Sequence, residues 1–229
     1  MRVTRLVCGS CGSFLRGLGT DVIFLCSNCG SGWSGEESGL KPVSIEQRAK
    51  PGEGLSLPFW RVSAAVHVLK RTVRNEFTST ILSFSSKYDE GILSGKTRET
   101  GSISERREFL FPAFSVNGLP GIGVNLSENL SSLPPILDDS WSYPEVCGGS
   151  VSPGDAEVLA SCVAVGQETE KADWLAEIEL VISAVRSSIV VLPCTQEVEK
   201  VHIADTGVSF FRRSVPGWNQ IVEFSAGEA

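Results

Sequence analysis

The chain has 229 residues, a mass of 24.5 kDa and a formal net charge of −7. At a prior of about 150 residues per domain, this length predicts one or two domains. Hydrophobic residues make up 41% of the chain and charged residues 21%, which argues against a wholly disordered protein. The acidic balance argues against nucleic-acid recognition through the overall field, and the odd number of cysteines, 7, argues against a disulfide scaffold.

The amino terminus, MRVTRLVCGSCG, lacks the apolar core of a secretory signal. The longest apolar runs, such as 189–193, are far shorter than the roughly 20 residues that span a bilayer. We therefore expect a cytoplasmic protein with reduced thiols and no membrane partner.

Residues 1–45 form the first predicted unit, and they contain two C-x2-C pairs separated by 14 residues. A glycine follows each pair, and it permits the positive φ that ends a tight cysteine knuckle. Two such knuckles place four thiolates at the corners of a tetrahedron, the geometry that Zn²⁺ favours. The predicted metal ligands are Cys8, Cys11, Cys26 and Cys29.

The segments VCGSCGSFL and LCSNCGSGW resemble the zinc-ribbon family over about 45 of the 229 residues. The resemblance implies two knuckles of rubredoxin-like form, a short three-stranded sheet and a structural Zn²⁺ bound by all four cysteines. Zinc ribbons occur in nucleic-acid-processing proteins, in ribosomal proteins and as accessory modules of enzymes, so the family does not fix a function. The ribbon followed by LPFWRV is also similar to uncharacterised bacterial zinc-ribbon proteins, which implies no activity.

Other uses of the four cysteines stay open at this point. Iron of the rubredoxin type binds the same four thiolates and would make the protein an electron carrier. A redox dithiol or two disulfides would use the same residues without a metal. A catalytic zinc is disfavoured, because four cysteines close the coordination shell and leave no position for water.

Residues 46–56 are polar and rich in Pro and Gly, which predicts a linker to a body at 57–229. Within the body, the period-2 pattern of 57–73 predicts a strand, and the charged stretch 87–108 predicts a solvated loop. The glycine-rich 118–125 predicts a further loop. A capping serine, a proline and two early acids predict a helix near 153–166.

The carboxy-terminal stretch 198–213 predicts two strands around an Asp-Thr-Gly turn at 205–207. The fold class is therefore α+β, with a β-rich body that follows an amino-terminal rubredoxin-like zinc ribbon. The helix near 153–166 and the loop at 87–108 are the other expected parts of that body.

The most basic local segment supplies the candidate nucleic-acid contacts. Its candidate residues are Arg61, Lys70, Arg71 and Arg74. The histidines, His67 and His202, belong to no catalytic motif. We expect Cys162 and Cys194 to be small buried side chains. No catalytic constellation emerges, so the sequence favours a protein that is not an enzyme.

The function expected from these features is a non-enzymatic protein-binding or assembly module with a structural Zn²⁺. The first alternative is a nucleic-acid-associated accessory factor in transcription or replication, which would need the basic residues named above. The second alternative is electron transfer through iron in the four-cysteine site. We expect a protein partner before a nucleic acid, because the net charge is −7.

Overall fold

The computed structural model describes residues 6–50, 54–74, 97–100, 102–137, 143–147, 149–171 and 174–226. These residues form a sheet-rich α+β arrangement with three α-helices and two sheets. The first sheet is small, antiparallel and ordered β1-β2-β3. Its strands are β1 (Ile23–Leu25), β2 (Gly32–Glu36) and β3 (Gly39–Val43).

The second sheet has seven strands and is built on two long ones that pair antiparallel along almost their whole length. The strands are β4 (Ile45–Gln47), β5 (Leu55–Arg74), β6 (Thr97–Thr100), β7 (Ile103–Pro112), β8 (Trp174–Gln196), β9 (Lys200–Ile203) and β10 (Ser209–Phe211). The two long strands are β5 and β8. β7 and β6 both pair with β5, β4 and β9 pair with β8, and β10 pairs with β9.

The central strand β5 buries alternate side chains, as its period-2 sequence predicts. Val62, Ala64, Val66 and Val68 are at most 2% exposed, whereas the residues between them are half-buried. Beyond Val68 the register with β8 shifts at bulges, and the buried face continues with Arg71. This face of the sheet carries most of the core of the body.

Three helices are described: α1 (Leu119–Glu128), α2 (Pro153–Thr169) and α3 (Trp218–Ser225). α2 occupies the region where the sequence predicts a helix, and Ser152 Oγ caps it by accepting the amide of Asp155 at 3.1 Å. α1 packs closely against α2 at Gly123. A β-carbon added to this glycine would lie only 2.7 Å from Cγ2 of Val163 in α2. No helix in the described ranges has both the length and the apolar character needed to cross a membrane.

Two segments of the body differ from the sequence prediction. The predicted loop 87–108 contains β6 and the first part of β7, while 87–96 lie outside the described residues. The predicted loop 118–125 is mostly helix α1, in which Gly123 permits close packing against Val163 of α2; Gly118, with a φ of 80°, lies immediately before the helix. The predicted strands around 205–207 are confirmed as β9 and β10.

The predicted linker 46–56 contains the end of β4 and the start of β5. Residues 51–53 of this segment lie outside the described part of the chain. Gln47 and Ala49 are buried there, at 8% and 0% exposure. The chain therefore enters the large sheet directly after β3, since β4 pairs in parallel with β8.

Candidate metal centre

The four predicted cysteines come together in the two turns beside the amino-terminal sheet. Their Sγ atoms all lie within 4.8 Å of one another, and none forms a disulfide. The closest pairs cross between the two knuckles: Cys8 Sγ is 3.6 Å from Cys29 Sγ, and Cys11 Sγ is 3.6 Å from Cys26 Sγ. A tetrahedral ZnS₄ centre with Zn–S near 2.3 Å has S···S edges of about 3.8 Å. The cluster is therefore compatible with a zinc-ribbon-like site.

The two knuckles have the same backbone hydrogen bonds at equivalent positions. In the first, Gly12 N donates to Cys8 O at 2.9 Å and Cys8 N donates to Ser13 O at 2.8 Å. In the second, Gly30 N donates to Cys26 O at 2.8 Å and Cys26 N donates to Ser31 O at 2.9 Å. Both glycines have positive φ, 76° and 70°, as the spacing predicts.

A hydroxyl outside the cysteine pattern touches two of the sulfurs. Ser31 Oγ lies 3.1 Å from Cys8 Sγ and 3.0 Å from Cys29 Sγ. The indole Nε1 of Trp33 donates to the same Oγ at 3.3 Å, which leaves the hydroxyl hydrogen free to point at sulfur. A donor of this kind stabilises negative charge on a thiolate ligand. Ser31 and Trp33 are supporting residues that sequence analysis missed, although Ser31 directly follows the second knuckle.

The protein environment favours ionisation of one knuckle and opposes it at one cysteine of the other. Burial by itself raises the pKa of Cys8, but hydrogen bonds from the Ser31 hydroxyl and from backbone amides lower that pKa to about 5. The pKa of Cys11 falls to about 7, chiefly through a hydrogen bond from Asn28. Burial raises the pKa of Cys26 to about 12. A bound cation would favour the thiolate at all these positions.

A small apolar cluster surrounds the sulfurs. Cys8, Cys26, Leu15 and Phe24 are each at most 6% exposed, and Trp33 packs against them. Cys11 is exposed, so the site has one open side. This cluster is too small to be a core of its own, which makes cross-linking of the knuckles important for its stability.

The amino-terminal sheet is attached to the body by a separate set of contacts. Val22 N and Ile23 N both donate to Gly149 O at 2.8 Å, and Ile23 belongs to the main core at 1% exposure. Arg16 Nη1 lies 2.7 Å from Glu145 Oε1. The site is therefore fixed relative to the body through contacts with Glu145 and Gly149.

The candidate nucleic-acid residues are engaged by carboxylates. Arg61 lies 3.0 Å from Glu46 and 2.8 Å from Glu108, and Lys70 lies 2.7 Å from Glu177. The side chain of Arg74 lies outside the described residues.

The third described candidate, Arg71, is buried at 4% exposure. Its Nε lies 2.9 Å from Oε2 of Glu168. The basic segment is thus paired with acids at each of its described candidate side chains.

The remaining sequence candidates do not assemble into a catalytic group in the described part of the chain. His67 lies between Ser104 Oγ and Ser183 Oγ, each 2.9 Å from a ring nitrogen, on a half-exposed sheet surface. Cys194 is buried, as expected, and burial raises its pKa. Cys162 is exposed on α2, so the expectation that it is buried is wrong. It lies on the outer side of a helix whose other face packs on the sheet.

No family model, curated protein or solved structure matches the chain. The geometry of the site therefore carries the functional argument. Four cysteines within 4.8 Å of one another could hold a metal ion, and the residues that support them are Ser31 and Trp33.

Proposed function

We propose that the four cysteines bind a structural Zn²⁺, and that the ribbon so stabilised is a protein-binding module attached rigidly to the body. The observation that carries the proposal is the spacing of the cysteine sulfurs, with two cross-knuckle pairs at 3.6 Å in two knuckles of the same backbone design. Four thiolates at tetrahedral spacing are a preferred ligand set of structural zinc.

Several features favour a structural role over a catalytic one. Four sulfur ligands complete the tetrahedron, so no position remains for a reacting water. The ligands are placed by backbone hydrogen bonds at both knuckles, and Cys8 and Cys26 are only 2% and 1% exposed. The metal would therefore act by joining two loops that have little apolar core of their own.

The same four thiolates could bind either zinc or iron, and zinc is proposed because an all-cysteine tetrahedron is a preferred structural zinc site. Ultraviolet and visible spectra separate the two directly. Zinc bound by four thiolates is colourless, whereas iron in such a site absorbs visible light. A coloured protein with stoichiometric iron would contradict the zinc assignment.

The proposed docking surface is the exposed side of the ribbon, marked by Phe14. This side chain is 78% exposed and belongs to a β-bridge with Val7, close to the first knuckle. Exposed aromatic side chains on a rigid support are enriched in protein interfaces. Nucleic acid is a weaker candidate partner, because Arg61, Lys70 and Arg71 are each engaged by a carboxylate.

The test compares binding partners of three variants of the full chain. Phe14→Ser removes the exposed ring, Cys8→Ser removes a metal ligand, and Val158→Ser is the control, since Val158 is 65% exposed on α2. We expect one partner, captured by the wild type, to be lost with the first two variants and retained by Val158→Ser. Capture that is unchanged by Phe14→Ser would contradict the docking proposal, even if zinc is bound.

A further inference from the structure

A groove of about 680 Å³ is lined by residues near the carboxy-terminal end of the sequence, far from the four cysteines along the chain. It is bounded by the β9–β10 hairpin, by the turn at Arg212–Ser214 and by the start of α3. Val198, Phe211 and Val215 supply apolar walls. Such a volume is in the range of small-molecule sites.

The cations at this groove lack the acidic partners that other cations of the protein have. Arg212, Arg213 and Lys200 form no ion pair with any carboxylate in the described ranges, whereas Arg61, Arg107 and several others do. Glu199 is the one acid in the lining. Arg212 and Arg213 against Glu199 therefore give the lining a local charge of about +1 in a chain of net charge −7.

These cations are held in place by their contacts. Arg212 Nη1 donates to Val198 O at 3.0 Å across the hairpin. The ring of Phe211 lies beneath two of them, with Arg213 Cζ at 5.0 Å and Lys200 Nζ at 5.5 Å from its centroid. A cation that rests on an aromatic ring retains its charge and its donors for an external anion.

Further donors at the groove have no acceptor in the described part of the chain. Trp218 lines the groove and is 5% exposed, and its indole Nε1 is buried without a hydrogen-bond partner. Arg212 Nε is buried and unpartnered as well. α3 starts at Trp218 with no side-chain cap and no acidic residue in its first turn. Buried donors without acceptors are uncommon in folded proteins, and these two belong to residues that line the groove.

We propose that this groove binds a small organic phosphate. A phosphate monoester carries about −1.5 to −2 charge near pH 7 and offers three acceptor oxygens, which suits a groove with a positive lining and hydrogen-bond donors. The uncapped start of α3 adds favourable potential for the same group. The apolar walls at Val198, Phe211 and Val215 would take the organic part, since the groove is larger than a phosphate ion. The proposal is independent of the metal centre.

Titration of the full chain with phenyl phosphate, a nucleoside monophosphate and inorganic phosphate tests this proposal. Isothermal calorimetry gives the affinity, and the indole N–H signal of Trp218, assigned with Trp218→Phe, reports the place of binding. We expect saturable binding of at least one organic phosphate, tighter than inorganic phosphate, with a shift of that indole signal. If neither phenyl phosphate nor the nucleoside monophosphate binds saturably, the proposal is overturned.

Two matched arginine variants decide whether the groove is the place where the phosphate binds. Arg213→Gln removes an exposed cation of the groove, and Arg186→Gln removes an exposed cation of β8. Loss of a charge-assisted hydrogen bond predicts at least a ~10-fold weaker affinity for Arg213→Gln and no change for Arg186→Gln. If Arg213→Gln lowers the melting temperature, Lys200→Gln is measured as the second variant of the groove. Equal affinity in both groove variants and in wild type would overturn the proposal.

Discussion

Gly30 of the second knuckle packs directly against the ring of Tyr143, a residue of the body. A β-carbon at Gly30 would overlap Cε1 of that ring, and Gly30 also has a φ of 70°. The same glycine donates its amide to Cys26 O. One residue therefore serves both the cysteine site and the contact of the amino-terminal unit with Tyr143 of the body.

Substitution of the two knuckle glycines separates these two roles. Gly12→Ala introduces only the strain of positive φ, since nothing lies within 4 Å of the added carbon; the expected loss is about 1–2 kcal/mol of unfolding free energy. Gly30→Ala adds the clash with Tyr143 and should cost more. Urea unfolding measures both variants.

The double variant Gly30→Ala/Tyr143→Ala provides the control for that comparison. Removal of the ring leaves space for the new methyl group, so the extra cost of Gly30→Ala over Gly12→Ala should shrink in the Tyr143→Ala background. Equal destabilisation by the two glycine variants in the wild-type background would contradict the contact.

Ser31→Ala should weaken metal binding without loss of a ligand. Its hydroxyl contacts the sulfurs of Cys8 and Cys29. Loss of such a supporting hydrogen bond typically costs about 10–100-fold in metal affinity. Competition with a chromophoric chelator measures the affinity, and Ser27→Ala is the control, because Ser27 is exposed in the same knuckle. A wild-type affinity for Ser31→Ala would contradict the role given to this hydroxyl.

Glu168→Gln should destabilise the body strongly. Glu168 is fully buried, and its carboxylate contacts Arg71 at 2.9 Å and Arg107 and Lys171 at 2.7 Å. Removal of its charge takes away the carboxylate that Arg71 and Arg107 both contact inside the protein, which predicts a loss of about 3–5 kcal/mol. The exposed pair of Lys70 with Glu177 provides the control.

That control variant, Glu177→Gln, should cost less than about 1 kcal/mol, since solvent screens the exposed pair. Both values come from urea unfolding at neutral pH. A loss from Glu168→Gln no larger than the loss from Glu177→Gln would show that the buried cluster does not stabilise the fold.

The contribution of Glu168 should also depend on pH. Burial opposes its ionisation, but Lys171 and Arg107 prevail and hold the pKa of this carboxyl below its usual range. The stabilisation is therefore complete above the unfolded-state pKa of about 4.3 and is lost as the pH falls through the lower folded-state value. The difference between wild type and Glu168→Gln should shrink below about pH 4. A difference that is constant down to pH 3 would contradict this assignment.

Local patterns predicted the parts of the fold that local chemistry determines. The knuckles follow from cysteine spacing and the two glycines, and α2 follows from its cap at Ser152. The first part of β7, which lies in the predicted loop 87–108, was missed because its charged residues have partners distant in sequence: Arg107 contacts Glu168 of α2, 61 residues later. Helix α1 was missed for a similar reason. Its glycines suggested a loop, whereas the glycine at position 123 is needed for the close contact with Val163 of α2.

The candidate metal site was likewise predicted only in part from the sequence. The four cysteines are visible in the sequence as a spacing. The contact of Ser31 with Cys8 and the hydrogen bond from Trp33 to Ser31 depend instead on how the chain around β2 folds back on the first knuckle. The ion pairs of Arg61 and Arg71 also join distant segments, so sequence alone left these residues as free cations.

Determination of the bound metal tests the central claim most directly. Elemental analysis of freshly purified protein, with X-ray absorption at the zinc edge, should give one zinc per chain bound by four sulfurs near ~2.3 Å. Cys26→Ser should lower that content and the melting temperature, whereas Cys162→Ser, at an exposed position on α2, should leave both unchanged. Protein that contains no zinc, and whose four cysteines are instead oxidised or bound to iron, would contradict the account.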